Sequence, residues 1–219
     1  MIYIVNYGAG NILSITSAIS EINQDFQIIN KPVKYNEKDI LLIPGVGNFK
    51  SASKRLMSQG FSDLKTLNPK ERPFIIGICL GMQLLLENSS EGGTISDGLG
   101  LVKGKVRSIQ GSANSLDILR TNTGWTNYQV EEKNLNKSFE FLDLYTSKDF
   151  YYVHSFMCIP SFQENVKAYY READIQIPAV IGCNSSRVLG FQFHPEKSGP
   201  HGLALLSDTL SAINANEGL

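Results

Sequence analysis

The first half of the chain alternates short apolar runs with segments of helical periodicity. Residues 2–5 form the first apolar run, and isoleucines at positions 12, 15, 19 and 22 then recur at the spacing of an amphipathic helix. Further strand-like runs occupy residues 26–29, 39–43 and 74–76, and SASKRLMSQG predicts a helix that ends at Gly60. Strands and helices in alternation predict parallel β-α units.

The pattern changes beyond about residue 103, where strand-sized runs dominate. These runs are GKVRSI, FYYVHS, VKAYYR and AVIGCN, and helical periodicity is weak until the C-terminus, so we expect antiparallel pairing. Residues 111–122 are polar and patternless, which predicts a loop or an insertion. The expected fold class is α/β: a single domain over residues 1–219, with a mostly parallel central sheet flanked by helices and additional antiparallel strands.

Composition narrows the classes of protein that the chain can be. A length of 219 residues with 42% hydrophobic content is enough to bury a substantial core. The formal net charge of −1 and a pI near 6.3 favour neither nucleic acid nor an anionic membrane as a partner. Three widely spaced cysteines without a C-x-x-C pair indicate neither a disulfide framework nor a structural zinc site. The N-terminal MIYIV shows no export signal or membrane span, so we expect a cytoplasmic protein.

One cysteine, Cys79, lies where an apolar strand-like run meets a helix-favouring one. The stretch is FIIGICLGMQLLLE, in which β-branched residues precede the thiol and helix-favouring residues follow it through position 87. Gly77 and Gly81 bracket Cys79 as in the G-x-S-x-G nucleophile elbow, and a helix N-terminus there favours the attacking thiolate. On this stretch alone, a buried structural cysteine explains the pattern equally well.

A second segment, GFQFHPEKSG, supplies an imidazole and a carboxylate two residues apart. A strand of alternating aromatic residues is expected to end here, and in an extended chain His194 and Glu196 project to the same side. A cysteine hydrolase needs an imidazole to move protons and a carboxylate to orient it, so the pair would complete the chemistry of Cys79. Taken alone, His194 would be interpreted as a strand-end cap and Glu196 as a solvated charge.

Glycines follow another buried run in the motif PGVG, residues 44–47. They allow backbone N–H groups to converge on an anion, which makes the motif a candidate half of an oxyanion hole. The N–H of Leu80, directly after Cys79, is the natural second donor. Without a nucleophile at Cys79, an ordinary turn would be the better interpretation. The early loop NYGAGN has neither G-x-G-x-x-G nor a Walker lysine, so nucleotide binding is not favoured.

These motifs together resemble the class I, or triad-type, glutamine amidotransferases. The resemblance rests first on GICLGMQLL and FQFHPEKS. Within that family the chain is most similar to the glutaminase subunits of imidazole glycerol phosphate synthase, because it has, in the same order, NYGAGN, LLIPGVGNF, GLGLVKGKV, TGWTNYQV and YYVHSF. The similarity spans nearly the whole chain and implies the flavodoxin-like α/β fold of the family.

The resemblance also implies a role for each candidate residue. Cys79 would be the nucleophile, His194 the general base and acid, and Glu196 the residue that orients His194. The other implied positions are the oxyanion residues Gly45, Val46 and Leu80; the substrate contacts Gln83, Glu91, Tyr151, His154 and Ser155; and the partner contacts Asn11, Trp125 and Lys197.

The family further implies a substrate, a partner and a pathway. The substrate would be glutamine, and no metal or organic cofactor would be needed. The partner would be a (β/α)8 cyclase subunit, which forms a heterodimer with the glutaminase and receives ammonia through an internal channel. The complex would serve histidine biosynthesis.

Two segments depart from the pattern of the family. Asn6 stands where the family usually has the aspartate of D-Y-G-x-G-N, and residues 122–127 read NTGWTN where it often has P-H-M-G-W-N. By resemblance both segments face the synthase partner, so they bear on the acceptor reaction more than on glutamine hydrolysis. Three alternatives stay open: a paralogous glutaminase that supplies ammonia for amidination of a bacterial surface sugar, a freestanding γ-glutamyl cysteine hydrolase, and a non-enzymatic binding subunit.

Overall fold

The computed structural model describes residues 1–68, 71–109, 121–172 and 175–215. The strands in these ranges are β1 Ile2–Val5, β2 Phe26–Ile29, β3 Ile40–Ile43, β4 Phe74–Ile78, β5 Leu86–Ser89, β6 Ser96–Asp97, β7 Val102–Ser108, β8 Asn122–Thr126, β9 Gln129–Val130, β10 Phe150–His154, β11 Phe156–Pro160, β12 Val166–Glu172, β13 Ile175–Cys183 and β14 Val188–Phe191. The α-helices are α1 Ile12–Glu21, α2 Phe49–Ser58, α3 Leu80–Leu84 and α4 Gly199–Ala215. Short 3-10 helices span Phe61–Lys65, Glu91–Gly93, Glu132–Asn134, Glu140–Tyr145, Gln163–Asn165 and Pro195–Lys197.

The largest sheet has the strand order β2-β1-β3-β4-β14-β13-β12-β9. The five strands from β2 to β14 are parallel to one another, and β13, β12 and β9 extend the sheet by antiparallel pairing. This confirms the predicted α/β class with a mostly parallel centre and additional antiparallel strands. The expectation of antiparallel pairing beyond residue 103 fails for β14, which pairs parallel with β4, and for the pairing of β7 with β5, which is also parallel.

Two hydrophobic layers cover the two faces of this sheet, because successive residues of a strand point to opposite faces. In β3, Ile40 and Leu42 join the layer that contains α1 and α4, whereas Leu41 and Ile43 join the layer that contains α2 and α3. These four side chains are at most 2% exposed. Burial on both faces explains the continuous apolar runs of the sequence and gives the site a stiff platform.

The smaller sheets carry strands that line the candidate site. β8 pairs antiparallel with β10, and a four-stranded sheet has the order β11-β7-β5-β6. Only the last two residues of the loop predicted over positions 111–122 are described, and Asn122 begins β8; the rest of that prediction lies outside the described residues. Within the described ranges, no helix is long and apolar enough to cross a membrane.

The helix after Cys79 is shorter than the sequence pattern predicts. α3 ends at Leu84, and Leu86–Ser89 forms β5. Residues 84–86 are all leucines and fully buried, so the segment has no solvent-facing side of the kind that an amphipathic helix exposes. Backbone N–H groups of residues 98–102 bind the carbonyl oxygens of residues 84–87. Tertiary hydrogen bonding therefore overrides helix propensity here.

Candidate active site

Cys79 lies at the sharp turn between β4 and α3. Its backbone has φ 53 and ψ −108, a conformation that costs a non-glycine residue on the order of 1–3 kcal/mol. Small neighbours make the turn possible: a Cβ on Gly81 would overlap the carbonyl of Ile43, and a Cβ on Gly77 would lie 2.6 Å from the carbonyl oxygen of Gly81. The turn thus has the geometry of a nucleophile elbow, and Cys79 is 4% exposed within it.

His194 and Glu196 come from the segment after β14, the strand beside β4. His194 Nδ1 lies 2.7 Å from Glu196 Oε1, and the two side chains are 2% and 5% exposed. The extended conformation predicted for this segment is wrong, because β14 ends at Phe191 and Pro195–Lys197 forms a 3-10 helix. Proline at the first position of that turn lacks an N–H and has a fixed φ, both of which favour the turn. The turn brings the carboxylate back to the imidazole.

The protonation state of His194 depends on both of its neighbours. Burial lowers the pKa of His194, but the neighbouring Cys79 and the hydrogen-bonded Glu196 outweigh burial and raise the pKa to about 10. The other ring nitrogen, Nε2, is buried and has no hydrogen-bond partner in the described ranges, so it can exchange a proton with Cys79. At neutral pH His194 is therefore an imidazolium, which places a positive charge beside the sulfur of Cys79.

The PGVG motif follows β3 and contacts the turn at Cys79. The N–H of Leu80 donates to the carbonyl oxygen of Gly45 at 3.3 Å. A trans peptide directs its C=O and its N–H to opposite sides, so the N–H of Val46 points away from Leu80. In this conformation, therefore, neither predicted oxyanion donor is free to receive a substrate oxygen.

The NYGAGN loop supports the PGVG motif. Tyr7 is 1% exposed, and its hydroxyl donates to the carbonyl oxygen of Pro44 at 2.7 Å. Burial raises the pKa of Tyr7 well above its ordinary value, so the hydroxyl remains a donor. Arg55 in α2 donates from Nη1 to the carbonyl oxygen of Gly8 at 2.6 Å and fixes the other side of the loop. The loop therefore connects α2 and the exposed start of α1 to the PGVG motif.

A cavity of about 450 Å³ opens beside Cys79, a volume that suits a molecule of the size of an amino acid. The predicted site residues that line it are Val46, Cys79, Leu80, Gln83, Glu91, Tyr151, His154, Ser155 and Lys197. The predicted residues Asn11, Gly45, Trp125, His194 and Glu196 do not line it. The structure therefore brings most of the predicted positions together around one small space.

Gln83 and Glu91 are held in place by hydrogen bonds to the protein. Gln83 Nε2 donates to the carbonyl oxygen of Phe156 at 3.1 Å and to Gln192 Oε1 at 3.4 Å. Glu91 Oε2 accepts from the N–H of Phe49, the first residue of α2, at 2.5 Å. A carboxylate at that helix N-terminus is favoured by the dipole and by the unpaired N–H groups there.

Tyr151 in β10 and Ser155, directly after β10, both line the cavity. The carbonyl oxygen of Tyr151 accepts from the N–H of His194 at 2.8 Å, which fixes the start of the His194 segment against β10. The Tyr151 ring also lies 6.3 Å from the imidazole of His194, centroid to centroid. Ser155 Oγ is 2.8 Å from the hydroxyl of Thr121.

His154, predicted as a neighbour of the substrate, has both ring nitrogens occupied by the protein. Nδ1 lies 2.8 Å from the carbonyl oxygen of Phe156, and Nε2 lies 2.9 Å from the hydroxyl of Tyr170. Nδ1 therefore donates, and Nε2 accepts. Burial lowers the pKa of His154 to about 4, with the Phe156 carbonyl opposing the shift and His194 adding to it. His154 is thus a neutral imidazole at neutral pH.

This buried neutral histidine predicts an acid-sensitive fold. Between pH of about 6.5 and about 4 the unfolded chain binds a proton at His154 and the folded chain does not, so the free energy of unfolding falls as the pH is lowered. We expect the loss to be on the order of 3 kcal/mol, measured by urea unfolding at several pH values. His154→Gln should flatten this dependence, whereas His201→Gln, at an exposed position, should keep it. Equal slopes for all three proteins would contradict the expectation.

The three predicted partner contacts differ in their exposure. Trp125 is 57% exposed on β8, and its ring lies 5.8 Å from that of Tyr151. Asn11 is exposed and accepts from the N–H of Ser14 through its side chain, as the N-cap of α1. Lys197 is partly exposed at the cavity. Their role at an interface stays a prediction.

Sequence reasoning missed one buried polar side chain beside Cys79. Gln192 is fully buried, and its Nε2 lies 3.8 Å from Cys79 Sγ. The available signal was a lone amide between two phenylalanines in an otherwise apolar strand end. The additional cavity residues that the sequence reasoning did not single out are Gly47, Thr121, Val153 and Phe156.

The fold and the site combine an α/β sheet with a strained thiol, a buried histidine–glutamate pair and a small cavity, which is the arrangement typical of triad hydrolases. The family model for class-I glutamine amidotransferases matches residues 4–213. The chain belongs to the class-I glutamine amidotransferase family.

Curated relatives cover the chain almost from end to end. Proteins named imidazole glycerol phosphate synthase subunit HisH are 32% identical over 218 residues in Geobacillus thermodenitrificans and 34% identical over 217 residues in Staphylococcus aureus strain MRSA252. The first alignment covers 99% of this chain and 98% of the relative, and the second covers 99% and 100%. The subunit of that name from Methanopyrus kandleri is 33% identical over 211 residues, or 96% of this chain and 98% of the relative.

Solved structures share the fold at low sequence identity. A crystal structure of a glutamine amidotransferase has a TM-score of 0.63 at 18% identity and covers 96% of this chain and 99% of its own. The structure of PurLQS from Thermotoga maritima has a TM-score of 0.66 at 18% identity and covers 96% and 97%. These matches agree with the predicted fold class.

Proposed function

We propose that the chain is the glutaminase subunit of an imidazole glycerol phosphate synthase, with Cys79, His194 and Glu196 as its catalytic triad. The observation that carries this proposal is the strained thiol of Cys79 beside a buried His194–Glu196 pair, at the wall of a cavity of about 450 Å³. The near full-length relatives bear the name of that subunit, which supports the assignment. We place the protein in the cytoplasm, and its three free cysteines suit a reducing compartment.

In the first half of the reaction the Cys79 thiolate attacks the side-chain carbonyl carbon of glutamine. A C–S bond forms, and the carbonyl oxygen becomes an oxyanion that backbone N–H groups of Leu80 and Val46 would stabilise once they are free. His194 then gives its proton to the amide nitrogen, the C–N bond breaks, and ammonia leaves. A γ-glutamyl thioester remains on Cys79.

In the second half His194, now neutral, removes a proton from a water molecule that attacks the thioester. A C–O bond forms and the C–S bond breaks. Glutamate is released, and the thiolate of Cys79 is regenerated. Glu196 keeps Nδ1 of His194 protonated, so Nε2 alone exchanges protons in both halves. Neither half needs a metal or an organic cofactor.

The walls of the cavity suit the polar groups of glutamine. We assign Glu91 to the α-ammonium group, because a carboxylate on the wall complements that charge. Gln83, Tyr151 and Ser155 supply further polar contacts. His154 is neutral and hydrogen-bonded on both nitrogens, so its role is to shape the wall and not to transfer protons.

The ammonia requires an acceptor enzyme, which we propose to be a (β/α)8 cyclase subunit in a heterodimer. The closed PGVG motif supports a glutaminase that a partner activates over a freestanding γ-glutamyl hydrolase, because a freestanding enzyme would need free oxyanion donors. Trp125 gives the partner a large exposed aromatic anchor, with Asn11 and Lys197 as polar contacts. The cyclase would combine ammonia with a phosphoribosyl-formimino intermediate to form imidazole glycerol phosphate and an aminoimidazole carboxamide ribotide.

Asn6 does not by itself require another pathway. Its Oδ1 accepts from the N–H of Gly8 at 3.2 Å, and an aspartate can accept the same hydrogen bond. The local turn is therefore compatible with either residue. A paralogue that serves the amidination of a surface sugar remains the second candidate, because Asn6 and residues 122–127 both differ from the family pattern.

The pathway is tested by mixing the protein with a standard cyclase subunit, glutamine and the phosphoribosyl-formimino substrate. We expect imidazole glycerol phosphate to form when glutamine is present. Chromatography of the reaction mixture measures this product. Free ammonium salt in place of glutamine checks that the cyclase itself is active. Binding to the cyclase without product, or failure to restore growth of a histidine-requiring strain that lacks its own glutaminase subunit, would favour the paralogue.

A further inference from the structure

Gln192 is a buried polar side chain at the centre of the site. It lies one residue beyond β14, is fully buried, and its backbone N–H donates to the carbonyl oxygen of Ala179 at 2.8 Å. Burying a primary amide without hydrogen bonds is unfavourable, because the amide loses its hydrogen bonds to water. The side chain therefore needs partners for both of its ends.

Each end of the Gln192 amide contacts a different part of the site. Its Oε1 accepts from Gln83 Nε2 at 3.4 Å, and its Nε2 lies 3.8 Å from Cys79 Sγ in donor geometry. Because Gln83 supplies a hydrogen to one end, the other end must be the NH₂ group, so the amide presents a donor to the sulfur. The orientation of Gln192 is thus set by Gln83.

The NH₂ group of Gln192 stabilises the sulfur of Cys79 most strongly when Cys79 is ionised, because hydrogen bonds to charged groups are stronger. In the thiol form Sγ donates to the carbonyl oxygen of Val153 at 3.8 Å. After the proton is lost this carbonyl no longer has a hydrogen to accept, and the amide of Gln192 remains as a fixed neutral donor to the thiolate. Ionisation therefore exchanges one hydrogen-bond partner of the sulfur for another.

The same amide also orients Gln83 towards the cavity. Gln83 Nε2 donates both to Gln192 and to the carbonyl oxygen of Phe156. Both of its hydrogens are then directed into the protein, which leaves Oε1 as the polar atom for the cavity that Gln83 lines. The wall consequently offers an acceptor to an N–H group of the substrate.

We propose that Gln192 is a positioning residue, which holds the Cys79 thiolate and the substrate-facing carbonyl of Gln83 through one amide. The proposal rests on the proposed function, in which Cys79 is the nucleophile and Gln83 contacts glutamine. It predicts two separable effects of removing the amide, one on the ionisation of the sulfur and one on the binding of the substrate.

His194 is the side chain that exchanges a proton with Cys79 in the proposed reaction. Glu196 is the carboxylate partner of His194. Four further titratable side chains interact with Cys79 or with His194: Tyr7 before α1, Cys158 on β11, Tyr170 on β12 and His154 on β10. Burial raises the pKa of the first three well above their ordinary values and lowers that of His154 to about 4. These four groups are therefore neutral near pH 7, and a changed pH profile in a Gln192 variant reports on the sulfur and His194.

The test uses the variant Gln192→Met, which keeps the length of the side chain and removes its donor and acceptor. Alkylation of Cys79 by iodoacetamide is followed across pH by mass spectrometry, and KM and kcat for glutamine are measured in the complex with the cyclase. We expect alkylation at pH 7 to slow by about tenfold, with its pH profile displaced upward, because one hydrogen bond to a charged group is lost. KM should rise several-fold as well.

Two further variants separate the two effects. Gln83→Met should raise KM but move the alkylation profile less than Gln192→Met does, because the NH₂ group of Gln192 remains although Gln83 no longer orients it. Gln192→Glu keeps the size of the side chain and an acceptor for Gln83, so it should leave KM near its original value and slow alkylation further, because a carboxylate opposes the thiolate. It also provides the test if Gln192→Met does not fold.

The outcomes distinguish this inference from the proposed function. If the unmodified protein is not labelled at Cys79 by the glutamine analogue 6-diazo-5-oxo-L-norleucine, the proposed nucleophile is wrong. If it is labelled but the Gln192 variants keep the original alkylation profile, the inference alone is overturned. A loss of thermal stability with an unchanged profile and unchanged KM would assign Gln192 a purely structural role.

Discussion

The Cys79→Ala protein is expected to release glutamate from glutamine at a rate lower by on the order of a thousandfold or more. The reason is that a thioester needs a thiol, and Cys79 is the only cysteine among the described residues that line the cavity. Glutamate release, measured in the complex with the cyclase, is the direct assay. The partner should still turn over with added ammonium salt, because only the generation of ammonia needs the thiol.

Alanine is a suitable replacement because it removes the sulfur and little else. It retains a Cβ in the same left-handed conformation, so the strain at position 79 is similar in both proteins. Cys183→Ala is the matched control, since Cys183 ends β13 and does not line the cavity. Hydrolysis by Cys79→Ala at close to the original rate, or an equal loss in Cys183→Ala, would show that the nucleophile is assigned wrongly.

The second large effect concerns the PGVG motif, which we expect to open when partner and acceptor ligand bind. Rotation of the peptide between Gly45 and Val46 would release the Leu80 N–H and turn the Val46 N–H towards it. Gly47 has φ 110, and no atom lies within 4 Å of the position that a Cβ would occupy there, so the motif has room to rearrange. One oxyanion donor is worth roughly 3 kcal/mol, so we expect the liganded complex to hydrolyse glutamine about a hundredfold or more faster than the isolated chain.

A single substitution tests whether the Val46 N–H is the donor gained. Val46→Pro removes that N–H and should cut the ligand-stimulated rate by about a hundredfold, whereas Val46→Ala keeps it and should retain stimulation. The Val46 side chain is 37% exposed, so neither change disturbs the core. Stimulation of equal size in both variants, or equal rates for the isolated chain and the liganded complex, would exclude this form of gating.

The sequence predicted the platform of the site better than its details. Strands such as residues 40–43 and 74–78 are buried on both faces. Such strands consist of continuous apolar residues, and this pattern can be recognised in a single sequence. The elbow was also predictable, because Gly77 and Gly81 are required by close contacts on both sides of Cys79. A backbone geometry that requires glycine can be predicted from the position of the glycine in the sequence.

The errors came where distant segments decide local structure. The β5 strand forms because residues 98–102 bind its backbone and that of the residues before it, and helix propensity contains no information about such a partner. The turn at Pro195–Lys197 replaced a predicted strand, although its proline was a usable signal. Gln192 was overlooked because a lone amide in an apolar strand end has no meaning until Gln83 and Cys79 are found beside it.

The parallel pairing of β4 with β14 gives the site two mechanically different parts. Ile78 is in register with Phe191, and the N–H of Cys79 donates to the carbonyl oxygen of Phe191 at 2.7 Å. The proposed nucleophile and the proposed base therefore follow adjacent, hydrogen-bonded strands. Thermal motion of the sheet carries both groups together and leaves their separation nearly constant. The PGVG motif is instead a loop, held by Tyr7 and by the single bond to Leu80. Control of the enzyme can therefore act on the loop alone, and the proton-transfer pair stays assembled in the resting and the active protein.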